Sequence, residues 1–451
     1  MSLSSLLSIA RSALLAQQRA MEVTGHNVAN AQTPGYSRQR LLLRTDAPQI
    51  TPQGMVGRGV TSEGVRRSRD QFYDASYRRE SGLFSQSSTL YDGLKQIEDA
   101  MGEPSDTGLS ATMDKLFHSF ADLANDPASP ANRDLVWQSG NRLSQQLNQL
   151  DQRLSAASSD ALVRVQGEAV AANDLLRQIA KLNQQILSAG GDAAPDLQDA
   201  RDNAIDQLSQ KLSIHVVSNA DGTLSVFGEA STLVDGITAT QLTVTGLGST
   251  VTIQDDAGTV IGAPGSAMGA LMEITNVRVP AVRAQLDQLA NALVTQVNTL
   301  HRTGYTSGGT TNNDFFDPTG VTASSIRLTA ALRTSSAAVA ASGSAGAGDG
   351  TIAQKIADLA SSPIGTLAGR TFRDFYSGVA NDVGQAVQSS GADLDAQQTL
   401  VDAADQRRAA VSGVSVDEEM VNLVAQQQAY GAAAKLITTA DEMVRVLLET
   451  I

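Results

Sequence analysis

The chain has 451 residues, is 41% hydrophobic but only 4% aromatic, and carries a formal net charge of −14. That length allows two to four domains, and the acidity argues against nucleic acid, which needs a basic face, and against anionic membranes. Cysteine is absent, so no disulfide, thiolate nucleophile or thiolate metal site is available.

Met1 to Gln18 shows no basic stretch and no clean apolar run, so no cleavable signal peptide is read there. No stretch reaches the ~18 uninterrupted apolar residues of a membrane helix. A secreted protein with this start is expected to need a dedicated export machine. Leu7, Leu14, Met21 and Val28 recur every seven residues, with a weaker row at Leu3, Ala10, Gln17 and Thr24. This pattern predicts a heptad-seamed helix stopping near Asn30 or Ala31. Thr33-Pro34-Gly35-Tyr36 then reads as a type II turn, with Pro and Gly at its two central positions. A strand or extended arm follows from Ser37 to Arg44, and Gly54, Gly57 and Gly59 punctuate a loop.

Helix is predicted from about Ser68 past Met101, and a shorter one around Thr112 to Leu123, ended by Asp126-Pro127. Pro130 opens the longest pattern: Val136, Leu143, Leu150 and Ala157 lie seven apart, and Leu175, Ile179, Leu182 and Ile186 continue it. About 55 helical residues make a rod of ~80 Å, closed by Gly190-Gly191. After a helix from Pro195 to Leu212 the period becomes alternating. Short strands are predicted at Ile214–Val217, Thr223–Phe227, Gln241–Thr245, Thr250–Gln254 and Thr259–Ile261, separated by Asp-Gly and Ala-Gly turns. Helix resumes at Pro280. Ala337 to Gly350 is low-complexity and expected to be flexible. Two long helices close the chain, Phe372–Val411 and Asp417–Ile451.

The last helix has the cleanest seam. Val416, Leu423, Tyr430, Ile437, Val444 and Ile451 sit seven apart, with Met420, Gln427, Ala434, Asp441 and Leu448 as the expected partner row. Residues 1–45 carry five arginines against Glu22, and residues 412–451 carry two cations against six acids. Two seams of opposite charge at the two chain ends favour pairing with each other. In most helical proteins such seams are ordinary core helices; their place at both ends points here to a terminal coiled coil that packs beside its neighbours.

The stretch Thr24-Gly25-His26-Asn27-Val28-Ala29-Asn30-Ala31-Gln32-Thr33-Pro34-Gly35-Tyr36-Ser37-Arg38 closely resembles the N-terminal signature of flagellar rod, hook and hook-associated proteins. Asn27 and Asn30 are suited to satisfy helix-terminal backbone groups. Glu418-Glu419-Met420-Val421-Asn422-Leu423 with Gln426 to Tyr430 resembles the matching C-terminal signature. In the middle, Leu197-Gln198-Asp199-Ala200-Arg201-Asp202, Leu233-Val234-Asp235-Gly236 and Val297-Asn298-Thr299-Leu300-His301 with Phe315-Phe316 resemble the first hook–filament junction family, FlgK.

The resemblance implies a structural subunit, not an enzyme. It implies export through the flagellar type III channel to an extracellular place on the flagellum, self-assembly as a helical layer on hook protein, and growth of the second junction protein upon it. It also implies an export chaperone at the C-terminal helix. The assembly and signature residues are Leu7, Leu14, Met21, Asn27, Val28, Asn30, Thr33, Pro34, Gly35, Tyr36, Met420, Leu423, Tyr430, Ile437, Val444 and Leu448. The alternatives are a hook or rod subunit, or a secreted enzyme or adhesin acting through the β region.

The expected fold is mainly α with a smaller β domain: 1–60 with 412–451 as the terminal coiled-coil base, 61–212 with 266–411 as a helical bundle, and 213–265 as an inserted β-rich outer domain. No cofactor, metal or catalytic site is expected. His26, His118, His215 and His301 lack metal-binding spacing and suit surface or capping roles. Asp199, Asp202 and Asp206 at helical spacing read as a solvated face with local ion pairs rather than acid–base machinery.

Overall fold

The computed structural model describes residues 3–51, 54–190, 194–246, 250–345 and 348–449. It is mainly helical, with a smaller β region in the middle of the chain.

Helix α1 (Leu3–Ala29) packs against α11 (Val416–Glu449), and the two are antiparallel. Two hydrogen bonds fix that direction. Asn27 Nδ2 donates to Glu419 Oε2 at 3.1 Å, and one turn further into α1, Gln426 Nε2 donates to Thr24 Oγ1 at 3.0 Å. Strand β1 (Gln39–Thr45) runs antiparallel to β4 (Val60–Arg67), with a bulge at Leu42/Leu43, and both strands lie against α1. Between them β2 (Gln49–Thr51) and β3 (Gly54–Val56) form a hairpin. The sequence predicts one arm and a loop here. The glycines and the Leu41-Leu42-Leu43 run hide the alternation, which the bulge absorbs. A domain boundary at residue 60 would split β4 from its partner β1.

The helical body begins with α2 (Gln71–Met101), whose first turn is capped by the Asp70 carboxylate accepting from Phe72 N. It continues with α3 (Leu109–Asn125) and α4 (Pro130–Ser188). Ser129 caps α4 and Pro130 starts it, as helix-entry chemistry requires. Its 59 residues span about 88 Å. After α5 (Pro195–Lys211) come a four-stranded antiparallel meander of β5 (His215–Ser218), β6 (Leu224–Phe227), β7 (Thr232–Asp235) and β8 (Thr238–Ala239), and a three-stranded sheet of β9 (Thr243–Thr245), β10 (Thr252–Gln254) and β11 (Val260–Ile261). Strands β7 and β8, four and two residues long, are not among the predicted strands.

Helix α6 (Ala267–Glu273) runs through a π turn at Ile274–Arg278 into α7 (Val279–His301), so helix resumes well before Pro280. Then follow α8 (Ala330–Thr334), α9 (Thr351–Ala357) and α10 (Phe372–Ser412).

Two apolar cores result. The larger joins α2, α3, the first half of α4, α7, α9 and α10 around Phe120, Phe315, Phe372 and Tyr376. The smaller joins Leu176 and Ile179 of α4 and Ile205 and Leu208 of α5 to Val226, Leu233, Ile253 and Ile261 of the strands. The β region is therefore not freestanding: a boundary at 213 would cut through the core it shares with α4 and α5. One long helix serves both cores, so their spacing is set by a rigid rod.

Two further expectations are corrected. Part of the low-complexity stretch is packed: Val339, Ala340 and Ala341 are fully buried, and Tyr305 bridges to Ser342. Small side chains allow this close approach. Gly346 and Ala347 of that stretch lie outside the described residues. His301 is neither surface nor cap but fully buried, with Nδ1 2.7 Å from the Asn313 carbonyl and Nε2 accepting from Ala340 N at 2.9 Å.

Candidate functional site

Helix α1 ends in a turn built as its sequence demands. Tyr36 N donates to Thr33 O at 3.2 Å, and Gly35 has φ +80°, where a Cβ would be strained and would stand 3.1 Å from Asn203 Nδ2. Asn30 caps locally, its Nδ2 donating to His26 O at 3.0 Å. Asn27 does not cap. Its amide reaches across to β1, donating to Gln39 O and accepting from Gln39 N, both at 2.9 Å. It also accepts from Tyr36 Oη at 2.8 Å. Burial, with Asp196, Asp199 and Glu419 nearby, raises the Tyr36 phenol and keeps it a donor. Thr33, Pro34 and Gly35 are exposed.

On α11 the inward row is Glu419, Gln426, Ala433 and Ala440, with Gln426 half-buried and the other three buried, not the expected Met420, Gln427, Ala434, Asp441 and Leu448. Glu419 is 2% exposed, while Met420 is 47% and Leu448 70% exposed. Leu423, Ile437 and Val444 are half-buried beside that row, and Tyr430 is more open. On α1 the small-residue row is the deep one. Ala10 and Thr24 are buried, whereas Leu7, Leu14, Met21 and Val28 are half-buried. Small residues win because two helix backbones approach most closely where side chains are shortest. Met1, Ser2, Thr450 and Ile451, the last of which belongs to the expected seam, lie outside the described residues.

The charge expectation is met at one place. Arg38 pairs with Glu419 at 2.7 Å and with Glu418 at 3.1 Å. Arg11 and Arg19 are exposed and form no ion pair among the described residues. The signature Arg38 and the signature Glu419, 381 residues apart, thus lock the start of β1 to the start of α11.

The acidic row of α5 is where expectation and structure part most. Asp199 and Asp202 are buried, and their partners are distant in sequence. Asp199 accepts from Ser37 N and Ser37 Oγ at 2.9 and 2.7 Å. Arg67 Nη1 bridges Asp199 and Asp202 at 2.6 and 2.7 Å, and Arg69 joins Asp202 to Asp74. Asp206 takes Arg78 from α2 and Arg408 from α10, both at 2.6 Å. Arg408 also lies 3.6 Å over the Tyr77 ring. Every crossing between the terminal helix pair and the body is therefore tied to α5: residue 37 entering β1, residue 67 leaving β4, and residue 408 approaching α11. Burial alone would raise the Asp202 carboxyl; Arg69, Arg67 and Arg78 outweigh it and hold the pKa at about 2. Removing one partner from such a network costs about 3–5 kcal/mol.

The opposite charges of Arg38 and Glu419 are legible in the two signatures, since both flank the seams. Arg67, Arg69, Arg78 and Arg408 carry no local pattern that announces a partner. Among the described residues no group of three or more His, Asp or Glu side chains is placed to hold a metal ion, and no helix is long and apolar enough to cross a membrane.

A helix pair from the two chain ends, a signature turn joining it to a ribbon, and a long-helix body with a side β region together define an axial structural subunit of the bacterial flagellum. Family models match both chain ends and the body. The flagellar hook-associated protein FlgK helical domain matches residues 94–316, the flagella basal body rod protein model residues 7–36, and the flagellar basal body rod FlgEFG C-terminal model residues 405–450. Flagellar hook-associated protein 1 of Bacillus subtilis is 30% identical, covering 97% of this chain and 96% of that one. The Escherichia coli protein of the same name is 24% identical over 99% of this chain and all of its own. The chain belongs to the flagellar hook-associated protein 1 family, structural proteins of the hook–filament junction. The fold agrees with the flagellar hook junction protein FlgK from Burkholderia pseudomallei, with a TM-score of 0.66 at 18% identity over 76% of this chain and all of that one.

Proposed function

We propose that this chain polymerises through α1 and α11, and that α11 supplies the contact between copies. The observation that carries this is a second heptad row on α11. Ala425, Ala429, Ala432, Leu436, Thr439 and Met443 alternate in steps of four and three, outside the row that packs on α1. Leu436 and Met443 are 44% and 49% exposed. A helix with apolar rows on two sides is built for two helical neighbours. The chain itself provides one, and a second copy provides the other. The signature residues then act by shaping the ends: Asn27, Asn30 and Thr33 to Tyr36 set the exit of α1, and Leu423, Tyr430, Ile437 and Val444 line the inner row.

In this reading the layer stands on hook protein and receives the second junction protein. An export chaperone covers the C-terminal helix beforehand, and export to the outside leaves the N-terminus uncleaved. The role is structural and not catalytic. Within the chain, residues 1–68 with 412–451 act as the assembly unit, carried on the body by the α5 joint.

The test is removal of the segment after Ser415. The body should still melt cooperatively, while cells bearing the truncated chain grow hooks without filaments. Persisting filaments would refute assembly through the ends.

A further inference from the structure

A cleft of about 890 Å³ opens between the start of α2, α5 and β5. Its wall holds six arginines, Arg66, Arg67, Arg69, Arg78, Arg79 and Arg201, against two aspartates, Asp74 and Asp202. Arg67, Arg69 and Arg78 are paired with Asp74, Asp199, Asp202 and Asp206, and Arg79 with Glu80, which leaves Arg66 and Arg201 without an ion pair among the described residues.

Arg67, Arg69 and Arg78 belong to the α5 joint, but Arg201 does not. It is 4% exposed, and its Nη1 donates only to neutral groups, Asn183 Oδ1 and the Gly222 carbonyl, both at 2.9 Å. Its Nε is buried without a partner, and so is the Nε of Arg69. Burial pulls the Arg201 guanidinium down to about 10, so the site disfavours its charge as it stands. At the rim, Arg66 faces Arg40 across the β1–β4 pair, and both are exposed with no ion pair among the described residues. Like charges directly opposite are unfavourable unless an acid covers them. The rest of the wall includes Leu83, Ile214, Val216, Leu224 and Pro264, which a bare oxyanion would leave wet.

We propose that this cleft binds an acidic peptide segment of a partner protein, with one carboxylate over Arg201 and Arg69 and a following one between Arg66 and Arg40. A carboxylate there meets two guanidiniums whose Nε groups have no acceptor within the described chain. Its flanking methylenes cover the apolar wall. The cleft is complete within one copy, so the inference stands apart from assembly through the chain ends.

The experiment titrates the full-length chain into fluorescein-labelled hexaglutamate at low salt and follows anisotropy, with hexaglutamine as control and inorganic phosphate as competitor. Binding should be saturable, weaken as salt rises, and fall at least tenfold in the Arg40→Gln/Arg66→Gln variant. Both positions are exposed, so that variant should keep its melting temperature. Arg201→Gln should fall further; if it does not fold, the rim variant decides. No binding, equal binding of hexaglutamine, an unchanged rim variant, or full displacement by millimolar phosphate would overturn the proposal.

Discussion

Asn27 of α1 and Gln39 of β1 exchange two hydrogen bonds of 2.9 Å, side-chain amide against backbone, as two paired strands would. The same Nδ2 also serves Glu419 of α11. One buried amide therefore holds three elements of the terminal unit. Asn27→Ala should cost about 1–3 kcal/mol, because it orphans buried backbone groups. Asn27→Asp should cost more, since it removes the donor and sets a second carboxylate against Glu419. Hydrogen exchange is the measurement: protection should drop in α1 and β1 and stay unchanged in α4. An Asn27→Asp protein with wild-type protection would show that the amide does not hold the unit.

Much of this architecture is legible in the sequence, for a physical reason. In α4 the large residues Val136, Leu143, Leu150 and Leu154 all point one way, and all are buried. On α11 one row of large residues, Leu423, Ile437 and Val444, is equally clear. Its companion is not, because Ala433 and Ala440 are small and Glu419 is charged, while Met420 one step away is apolar. Burial of an acid is decided by Arg38 and Asn27, nearly 400 residues distant, which periodicity does not see. The α5 joint is hidden in the same way. Asp199, Asp202 and Asp206 have the spacing of a wet helical face, and only tertiary contact with Ser37, Arg67, Arg78 and Arg408 makes them a clamp, the first two buried and the third half-buried.

That clamp has a pH signature. With a pKa of about 2 against an ordinary 3.8, Asp202 binds its proton less readily folded than unfolded. Its contribution is complete above about pH 4 and is lost as pH falls from about 4 to about 2, on the order of 2 kcal/mol. Asp202→Asn should be less stable than wild type at pH 5, with the gap narrowing by pH 2. Denaturant unfolding across this range measures the difference. A gap independent of pH would mean that the Asp202 charge contributes nothing.

His301 gives the body a second dependence, in a different window. Burial lowers its pKa to about 4 from 6.5, although the Asn313 carbonyl and Asp314 favour the charged form. Accepting from Ala340 N requires a free lone pair on Nε2, which protonation removes. The neutral ring's contribution is whole above about pH 6.5 and is lost as pH drops from there towards 4, roughly 3 kcal/mol. NMR of the ring should show it neutral at pH 5, and His301→Gln should flatten the fall in melting temperature between pH 7 and pH 4.5. A ring that titrates near 6.5 would contradict the buried geometry.

Arg11 and Arg19 concern what lies between copies. Both are exposed on α1 and unpaired within the described chain, and so are Asp441 and Glu442 on α11. The opposite charge of the two ends is thus largely unused inside one subunit and is available to a neighbour. Reversing Arg11 and Arg19 to Glu should leave the monomer's stability within about 0.5 kcal/mol of wild type. It should weaken self-assembly at low salt, and the deficit should shrink as salt shortens the screening length from about 10 Å at 0.1 M to about 3 Å at 1 M. Met443→Lys should also spare the monomer, but its assembly deficit should persist at high salt, because the lost contact is apolar. Sedimentation of polymer across a salt series separates the two. Unchanged assembly of the reversed chain would leave the apolar row on α11 as the whole of the contact.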